Sequence, residues 1–144
     1  MIKCIGAIIY DSAKDMVLLQ QRSSNTSHPL KWGLWGGKLE KHENFIDGLM
    51  RELEEELSTV PEVIELKPID TFVSDDGKFV YYSFLIITNN FNSISVDNKE
   101  TNDFVWLPLD KILKIDLHPA TKRMLNDKYA LVDKYIKNHV DKNM

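Results

Sequence analysis

The stretch that decides the fold is GKLEKHENFIDGLMRELEEELST, residues 37–59. Asn44 is a favourable helix N-cap, and apolar side chains follow it at spacings of three and four residues. At 3.6 residues per turn these side chains share an arc of about 100°, and they are Ile46, Leu49, Met50, Leu53 and Leu57. The pattern predicts an amphipathic helix whose apolar arc faces the core.

Carboxylates form a second arc near the carboxyl end of this helix. Glu52, Glu55 and Glu56 are spaced so that their side chains meet on one helix surface. Glu54 projects away from them and is expected to lie in solvent. Each anion near a helix C-terminus costs about 0.3–1 kcal/mol, and each like-charge pair adds roughly 0.2–0.5 kcal/mol. We therefore expect a cation from outside the chain to neutralise this cluster.

The acidic helix belongs to a longer pattern of fixed spacing. Gly37 is followed by five residues and Glu43, then by seven residues and the run RELEEE, residues 51–56. This pattern resembles the box of the Nudix (MutT-like) hydrolases, which reads G, five residues, E, seven residues, R-E-U-x-E-E-x-G-U, with U a bulky aliphatic residue. The box would span residues 37–59. Ser58 and Thr59 depart from it, because they replace its second glycine and its last aliphatic residue.

The resemblance implies an α/β fold, an α/β/α sandwich with a mixed β-sheet, and hydrolysis of a nucleoside diphosphate linked to another group. It implies that Glu52, Glu55 and Glu56 bind Mg²⁺, for which Mn²⁺ can substitute. It also implies a salt bridge between Glu43 and Arg51 that orients the loop and the helix. Hard divalent ions favour carboxylate oxygens, which agrees with the acidic arc. Such an ion would offset the repulsion and lower the pKa of a bound water that attacks phosphorus.

Further site residues follow from the same resemblance. Gly36 and Gly37 let the backbone approach a ligand closely, and Gly37 is also assigned to the metal site. Glu100 is the best match for a glutamate that relatives place before a late strand as a further metal ligand or general base. Asp97 and Asp103 are its rivals. Besides the two glycines, the residues assigned to the substrate are Arg22, on its phosphates, and Leu34, Trp35, Lys38 and Thr121.

Several of these residues have ordinary structural alternatives. Arg22 is equally consistent with a surface arginine, and Glu100 lies in a loop that is polar throughout. Trp32 and Trp35 either contact a base or fill the edge of the core. Asp116 or Thr121 could serve only to cap the last helix.

Length and composition favour a single domain over residues 1–144. The chain contains no run near the roughly 20 apolar residues of a membrane span and no basic-then-apolar amino terminus, so we expect a soluble cytoplasmic protein without membrane contact. The net charge of −4 argues against an extended nucleic-acid surface. Cys4, the single cysteine of the sequence, is expected to be a small buried hydrophobe.

The rest of the chain alternates predicted strands with a few helices. Two apolar runs are separated by the turn DSAKD, and two β-rich runs flank the Asp-Gly turn DDGK. A long segment rich in Gly and Ser, residues 23–43, is predicted to be a functional loop. The predicted strands are 2–10, 16–20, 63–73, 78–88 and 103–107, and the predicted helices after the box are 108–113 and 119–137.

The leading hypothesis is a Mg²⁺-dependent Nudix hydrolase acting on a small nucleotide, with a (d)NTP or modified (d)NTP preferred because no extra domain is visible. Nucleotide sugars, ADP-ribose, dinucleoside polyphosphates and capped RNA ends are the alternative substrates. A nucleotide-binding sensor without turnover and an acidic interaction domain are hypotheses of other classes. Release of phosphate or pyrophosphate that depends on Mg²⁺ would separate the enzyme from both. Exposed strand edges are compatible with a homodimer.

Overall fold

The computed structural model describes residues 1–96 and 99–144. Within these ranges the chain forms seven strands, two α-helices and one 3-10 helix. The strands are β1 (Ile2–Asp11), β2 (Met16–Arg22), β3 (Trp32–Gly33), β4 (Trp35–Lys38), β5 (Glu65–Val73), β6 (Phe79–Thr88) and β7 (Thr101–Leu107). The α-helices are α1 (Phe45–Leu57) and α2 (Pro119–Lys142), and the 3-10 helix is Leu109–Lys114.

The strands form one mixed sheet with β1 at its centre. β1 runs parallel to β6 and antiparallel to both β2 and β4. β5 pairs with the far edge of β6, while β3 and β7 pair with β2, all antiparallel. Because side chains alternate along a strand, the register assigns each residue to a face. Cys4 lies beside Tyr81 on one face, and Ile5 lies beside Tyr82 on the other.

The two α-helices cover opposite faces of this sheet. Leu49, Leu53 and Leu57 of α1 are fully buried in one hydrophobic core, and Met124 and Leu125 of α2 are buried in a second. Each core is completed by side chains from alternate positions of β1, β2 and β6. The prediction of an α/β/α sandwich with a mixed sheet is confirmed.

Both ends of α1 follow from local chemistry. The Asn44 side chain accepts a hydrogen bond from Asp47 N at 2.8 Å, as expected of an N-cap. The helix ends where Ser58 adopts a left-handed φ of 65° and donates its backbone N–H to Glu54 O. Ser58 therefore holds the conformation that the glycine of the Nudix pattern would hold without the Cβ penalty.

The buried face of α1 is rotated toward its acidic side. Gly48, Glu52 and Glu56 are buried, whereas Ile46 is 57% exposed and Met50 is only partly buried. The prediction that Ile46 faces the core is therefore wrong. The reason is that the helix packs through a face lying between the apolar arc and the glutamates. This rotation brings two carboxylates under the sheet.

Two short strands replace part of the loop predicted over residues 23–43. Three of the six residues of β3 and β4 are glycine, which is depleted in strands, so the strand preference of their two tryptophans gives no recognisable run. They are strands because β1 and β2 supply hydrogen-bonding edges, with Gly36 opposite Gly6 and Gly33 opposite Gln20. The prediction of an irregular loop is wrong for these residues, and β4 brings Gly36 and Gly37 over α1.

α2 begins and ends differently from the sequence prediction. Its N-cap is His118, whose Nδ1 accepts from Ala120 N at 3.1 Å, and neither Asp116 nor Thr121 provides the cap. The helix continues to Lys142 instead of ending at residue 137, because Ile136 and His139 are still buried. Of the helices in residues 1–96 and 99–144, none combines the length and the apolar character that crossing a bilayer requires.

Candidate active site

Glu56 is held by hydrogen bonds at both carboxylate oxygens. Its side chain is 5% exposed beneath β4. Gly36 N donates to Oε1 at 2.7 Å, and Gln20 Nε2 donates to Oε2 at 2.6 Å. Hydrogen bonds to a charged group are stronger than neutral ones and fix its orientation. The sequence reasoning missed Gln20, which lies outside the box in β2.

Glu52 lies directly against the backbone of Gly37. A Cβ built on Gly37 would stand 2.7 Å from the Glu52 carboxylate, a distance that real side chains do not tolerate. Gly36 has a positive φ of 144°, and a Cβ there would lie 2.0 Å from Ile5 O. Glycine is thus required at Gly36 for space and backbone conformation, whereas a Cβ at Gly37 would displace the Glu52 carboxylate from its position beside β4.

Arg51 connects the box loop with the acidic arc. Its Nε and NH2 donate to the two carboxylate oxygens of Glu43 at 2.7 and 2.9 Å. Its NH1 lies 3.0 Å from Glu52 Oε1 and 3.4 Å from Glu55 Oε1. NH2 also donates to Lys38 O at 3.1 Å. One guanidinium therefore contacts three carboxylates and the end of β4.

The ionised form of the Glu56 side chain is disfavoured, although two hydrogen-bond donors contact it. Burial raises its pKa to about 8, although hydrogen bonds from Gln20 and Gly36 act in the opposite direction. The negative charges of Glu52 and Glu100 raise the pKa further. This interaction also shows that Glu100, which lies just before β7, belongs to the same electrostatic cluster.

The positive charge of Arg51 stabilises the ionised form of Glu43 more than that of Glu52. The pKa of Glu43 is lowered to about 2, mainly because Arg51 donates hydrogen bonds to it. The pKa of Glu52 is raised, because burial outweighs the hydrogen bond and the charge of Arg51. The charges of Glu55 and Glu100 add to that increase. Negative charge in excess of the available arginine is a condition that favours binding of a further cation.

The carboxylates do not converge on one point as they stand. Among the residues that the structure describes, no group of three or more His, Cys, Asp or Glu side chains is arranged to hold a metal ion. Glu52 and Glu55 are turned toward Arg51, and Glu55 remains exposed. The donor set itself consists of carboxylates beside an unhindered glycine backbone, which suits a hard divalent ion. Arg51 contacts Oε1 of Glu52 and Oε1 of Glu55, so a metal ion would use the other oxygen of each carboxylate or compete with Arg51 for Oε1.

The candidates for a late acidic residue differ in position. Glu100 is exposed, and its carbonyl oxygen accepts a hydrogen bond from Ser23 N at 2.9 Å. Asp103 is opposite Gln21 in the β2–β7 ladder, on the face away from Gln20. Asp97 lies outside the described residues. The charge of Glu100 acts on Glu52 and Glu56, whereas Asp103 lies on the other face of the sheet from Gln20.

A cavity of about 300 Å³ opens beside β4 on the α2 side of the sheet. Six residues that the sequence assigned to the substrate line it, and these are Arg22, Leu34, Gly36, Gly37, Lys38 and Thr121. Trp35 is the exception: its side chain is fully buried in the α1-side core and donates Nε1–H to Leu18 O at 3.1 Å. The assignment of the Trp35 side chain to the substrate is wrong, because alternation along β4 turns it away from the cavity.

The far wall of the cavity was missed by the sequence reasoning. The Arg123 guanidinium stacks on the Phe72 ring with 3.5 Å to its centroid, and it lies 3.3 Å from Asp70 Oδ2. Tyr81 stacks beside Phe72. His118, the N-cap of α2, also lines the cavity. Burial and the positive charge of Arg22 lower the pKa of His118 to about 4. These residues come from β5, β6 and α2, so no short motif identifies them.

The comparisons with known proteins agree with this geometry. A family model described as the NUDIX domain matches residues 2–128. The chain belongs to the Nudix family. Nucleoside triphosphatase NudI of Escherichia coli O139:H28 (strain E24377A / ETEC) is 30% identical over 116 residues, which are 72% of this chain and 79% of NudI. The Nudix hydrolases are therefore the enzyme class to which this chain is related.

Two further relatives show how much of the chain resembles known Nudix proteins. The crystal structure of a MutT protein from Methanosarcina mazei Go1 superimposes with a TM-score of 0.73 and 25% identity, covering 92% of this chain and 95% of that one. A nucleoside triphosphate pyrophosphatase/Nudix hydrolase fusion protein of Bifidobacterium longum (strain NCC 2705) is 26% identical over 74% of this chain. The matched region is only 22% of the fusion protein.

Proposed function

We propose that this protein is a metal-dependent Nudix pyrophosphohydrolase that cleaves the diphosphate linkage of a small nucleotide, with a (d)NTP or modified (d)NTP as substrate. The observation that carries the proposal is the position of β4 between two features. Gly36 and Gly37 contact Glu56 and Glu52 on one side and line the 300 Å³ cavity on the other. A nucleotide in this cavity would have its phosphates beside Gly36, Gly37 and Lys38, the part of β4 that also contacts the carboxylates.

The acidic residues are proposed to hold the metal. Glu52, Glu55 and Glu56 would supply carboxylate oxygens to Mg²⁺ or Mn²⁺, with Glu100 and the backbone of Gly37 nearby. When bound, the ion would neutralise phosphate charge and lower the pKa of a water molecule. Arg51 would remain on Glu43, because those two hydrogen bonds do not involve the metal-binding carboxylates.

Side chains that line the cavity are proposed to bind the phosphates and the base of the nucleotide. Arg22 and Lys38 are cations in its lining and would bind phosphate oxygens. Phe72 and Tyr81 provide aromatic surface against which a base can stack. A volume of 300 Å³ is at the lower end of small-ligand pockets, which supports one nucleoside unit over a dinucleotide.

A substrate panel tests this proposal. The protein is incubated with Mg²⁺ and (d)NTPs, nucleotide sugars, ADP-ribose, a dinucleoside polyphosphate and capped RNA in ¹⁸O-labelled water, and the products are identified by mass spectrometry. We expect turnover of one or more (d)NTPs that is abolished by EDTA. The position of the label identifies the phosphorus that is attacked. Faster turnover of another substrate class replaces the substrate assignment, and binding without turnover across the panel favours a sensor.

Two properties stay predictions from the sequence alone. A cytoplasmic location is one of them, and a homodimer, which is compatible with exposed strand edges, is the other. Fractionation of the native host and light scattering of the purified protein test them separately.

A further inference from the structure

Gln20 occupies a buried position between α1, β4 and β7. Its side chain is 6% exposed, and its amide makes three hydrogen bonds. Nε2 donates to Glu56 Oε2 at 2.6 Å and to Leu34 O at 2.8 Å. Oε1 accepts from Thr101 Oγ1 at 2.6 Å, and Thr101 is fully buried at the start of β7. Both N–H groups of the amide therefore donate a hydrogen bond, and its oxygen accepts one.

The orientation of the amide is fixed by its neighbours. Both groups that contact Nε2 are acceptors, the Glu56 carboxylate and the Leu34 carbonyl. A flipped amide would place Oε1 against these two acceptors, which is unfavourable. Thr101 must then donate its hydroxyl hydrogen to Oε1. A fully satisfied buried network of this kind rigidifies the groups it joins.

Glu56 receives one donor on each oxygen from this arrangement. Gly36 N–H binds Oε1, and the Gln20 amide binds Oε2. A carboxylate oxygen accepts about two hydrogen bonds or metal contacts, so each oxygen keeps a further direction for a ligand. By fixing the orientation of the carboxylate, the two donors determine where each oxygen can bind a further ligand.

The residue that directly follows β2 also holds the segment that carries Glu100. Ser23, which is 4% exposed, donates its backbone N–H to Glu100 O at 2.9 Å and its hydroxyl to Lys99 O at 2.9 Å. Thr101, the partner of Gln20, directly follows Glu100. The positions of Glu56 and of the Glu100 backbone are therefore set by Gln20 near the end of β2 and by Ser23 just after it.

We infer that Gln20 is a positioning residue for the metal site, which orients the Glu56 carboxylate and ties it through Thr101 to the loop of Glu100. The inference rests on the proposed metal-dependent function. Groups that orient a metal ligand typically change metal affinity by 10–100-fold when they are removed. Gln20 lies 36 residues before Glu56 and outside the Nudix box, so the pattern of the box does not include it.

Direct measurement of Mn²⁺ binding tests the inference without turnover. The free Mn²⁺ signal is followed by electron paramagnetic resonance in the wild type and in Gln20→Met, which keeps the length of the side chain and removes the amide. We expect Mn²⁺ to bind about tenfold more weakly to Gln20→Met. A separate hydrolysis assay should show that Gln20→Met needs a higher Mn²⁺ concentration than the wild type and has a substrate KM within about threefold of it.

Gln21→Met is the matched control. Gln21 lies on the same strand, and it too bonds to β7 and to a loop carbonyl: Asn102 Nδ2 donates to its Oε1 at 2.7 Å, and its Nε2 donates to Leu30 O at 3.2 Å. Its side chain is on the opposite face of β2 from that of Gln20, which contacts Glu56. We expect its Mn²⁺ affinity to equal that of the wild type.

Two further variants show whether Gln20 acts through Glu56. In a Glu56→Gln background, the change Gln20→Met should weaken Mn²⁺ binding by less than twofold, because the carboxylate that it orients is gone. Thr101→Val should weaken binding severalfold, and Thr101→Ser, which keeps the hydroxyl, should restore it. Thermal melting of each variant identifies loss of folding, and Thr101→Val carries the test if Gln20→Met does not fold.

The outcomes separate this inference from the proposed function. Unchanged Mn²⁺ affinity in Gln20→Met overturns the inference, as does an equal loss in the Glu56→Gln background. A wild-type protein that binds Mn²⁺ and loses affinity in Gln20→Met, but hydrolyses no nucleotide, supports the inference and rejects the proposed function. A wild-type protein that binds no Mn²⁺ rejects both.

Discussion

Arg51 and Glu43 form a two-point hydrogen-bonded ion pair, with Nε and NH2 donating to the two carboxylate oxygens at 2.7 and 2.9 Å. The pair joins the loop after β4 to the middle of α1, eight residues away in sequence. A planar guanidinium matches a carboxylate in this geometry, whereas an ammonium group cannot. This arginine therefore fixes the loop after β4 to α1.

We predict that Arg51→Lys lowers kcat by about tenfold to a hundredfold, because small displacements of positioned groups have effects of that size. Lysine keeps the charge and loses the paired hydrogen bonds to Glu43 and the bond to Lys38 O. Steady-state kinetics with the substrate found in the panel measure the change. Glu40→Gln is the control, because Glu40 is exposed and approaches Arg51 only to 3.7 Å. Equal activity of Arg51→Lys and the wild type would contradict the positioning role.

Removing one charge from the acidic arc should abolish most turnover. Glu55→Gln and Glu56→Gln each keep the shape of the side chain and remove a proposed metal ligand, so we predict that kcat falls by orders of magnitude while the circular dichroism spectrum is unchanged. Glu54→Gln is the matched control on the same helix, since Glu54 is exposed and lies off the arc. If both variants turn over like the wild type at saturating Mg²⁺, the assignment of these ligands is wrong.

The serine at the end of α1 offers a test of backbone strain. Ser58→Gly removes a Cβ from a left-handed residue, which is worth about 1–2 kcal/mol, and it loses the exposed hydrogen bond from Ser58 Oγ to Ser95 O. We predict a small net gain of up to about 1 kcal/mol in the free energy of unfolding, with hydrolysis preserved.

Ser58→Ala is the companion variant. Alanine loses the same hydrogen bond without relieving the left-handed conformation, so the free energy of unfolding should fall. Thermal melts of the three proteins measure both effects. A lower melting temperature for Ser58→Gly than for Ser58→Ala would contradict the explanation.

Asp11 provides a pH-dependent contribution to stability. Burial by itself would raise the pKa of this fully buried carboxyl group, but hydrogen bonds from Lys14 Nζ and from the backbone N–H groups of Phe91, Asn90 and Ala13 lower it to about 2. The folded state thus binds its proton more weakly than the unfolded state does. The stabilisation is complete above the unfolded pKa near 4 and is lost as the pH falls toward 2.

We predict that Asp11→Asn lowers the free energy of unfolding by about 2 kcal/mol at pH 7 and that the difference from the wild type narrows between pH 5 and pH 2. Urea denaturation at several pH values measures it. Asp75→Asn, in the exposed turn between β5 and β6, should show little difference at any pH. A constant gap between pH 7 and pH 3 for Asp11→Asn would reject this explanation.

The local part of the site could be read from the chain. The cap at Asn44, the two arcs of α1, and the left-handed residue at Ser58 all depend on hydrogen bonds between residues three or four apart. Such contacts leave a periodic trace in the sequence. The spacing from Gly37 to Glu56 further identified the Nudix pattern and with it the α/β/α sandwich.

The sequence by itself therefore determined α1, the family and the acidic character of the site. Tertiary structure alone decided that β3 and β4 are strands, that Trp35 fills the core, that α1 is rotated to bury Glu52 and Glu56, and that Gln20 meets Glu56. The cavity wall formed by Asp70, Phe72 and Arg123 was likewise decided by tertiary structure. These features depend on contacts between residues far apart in the chain, formed only when sheet and helices pack, so they leave no periodic pattern along the sequence.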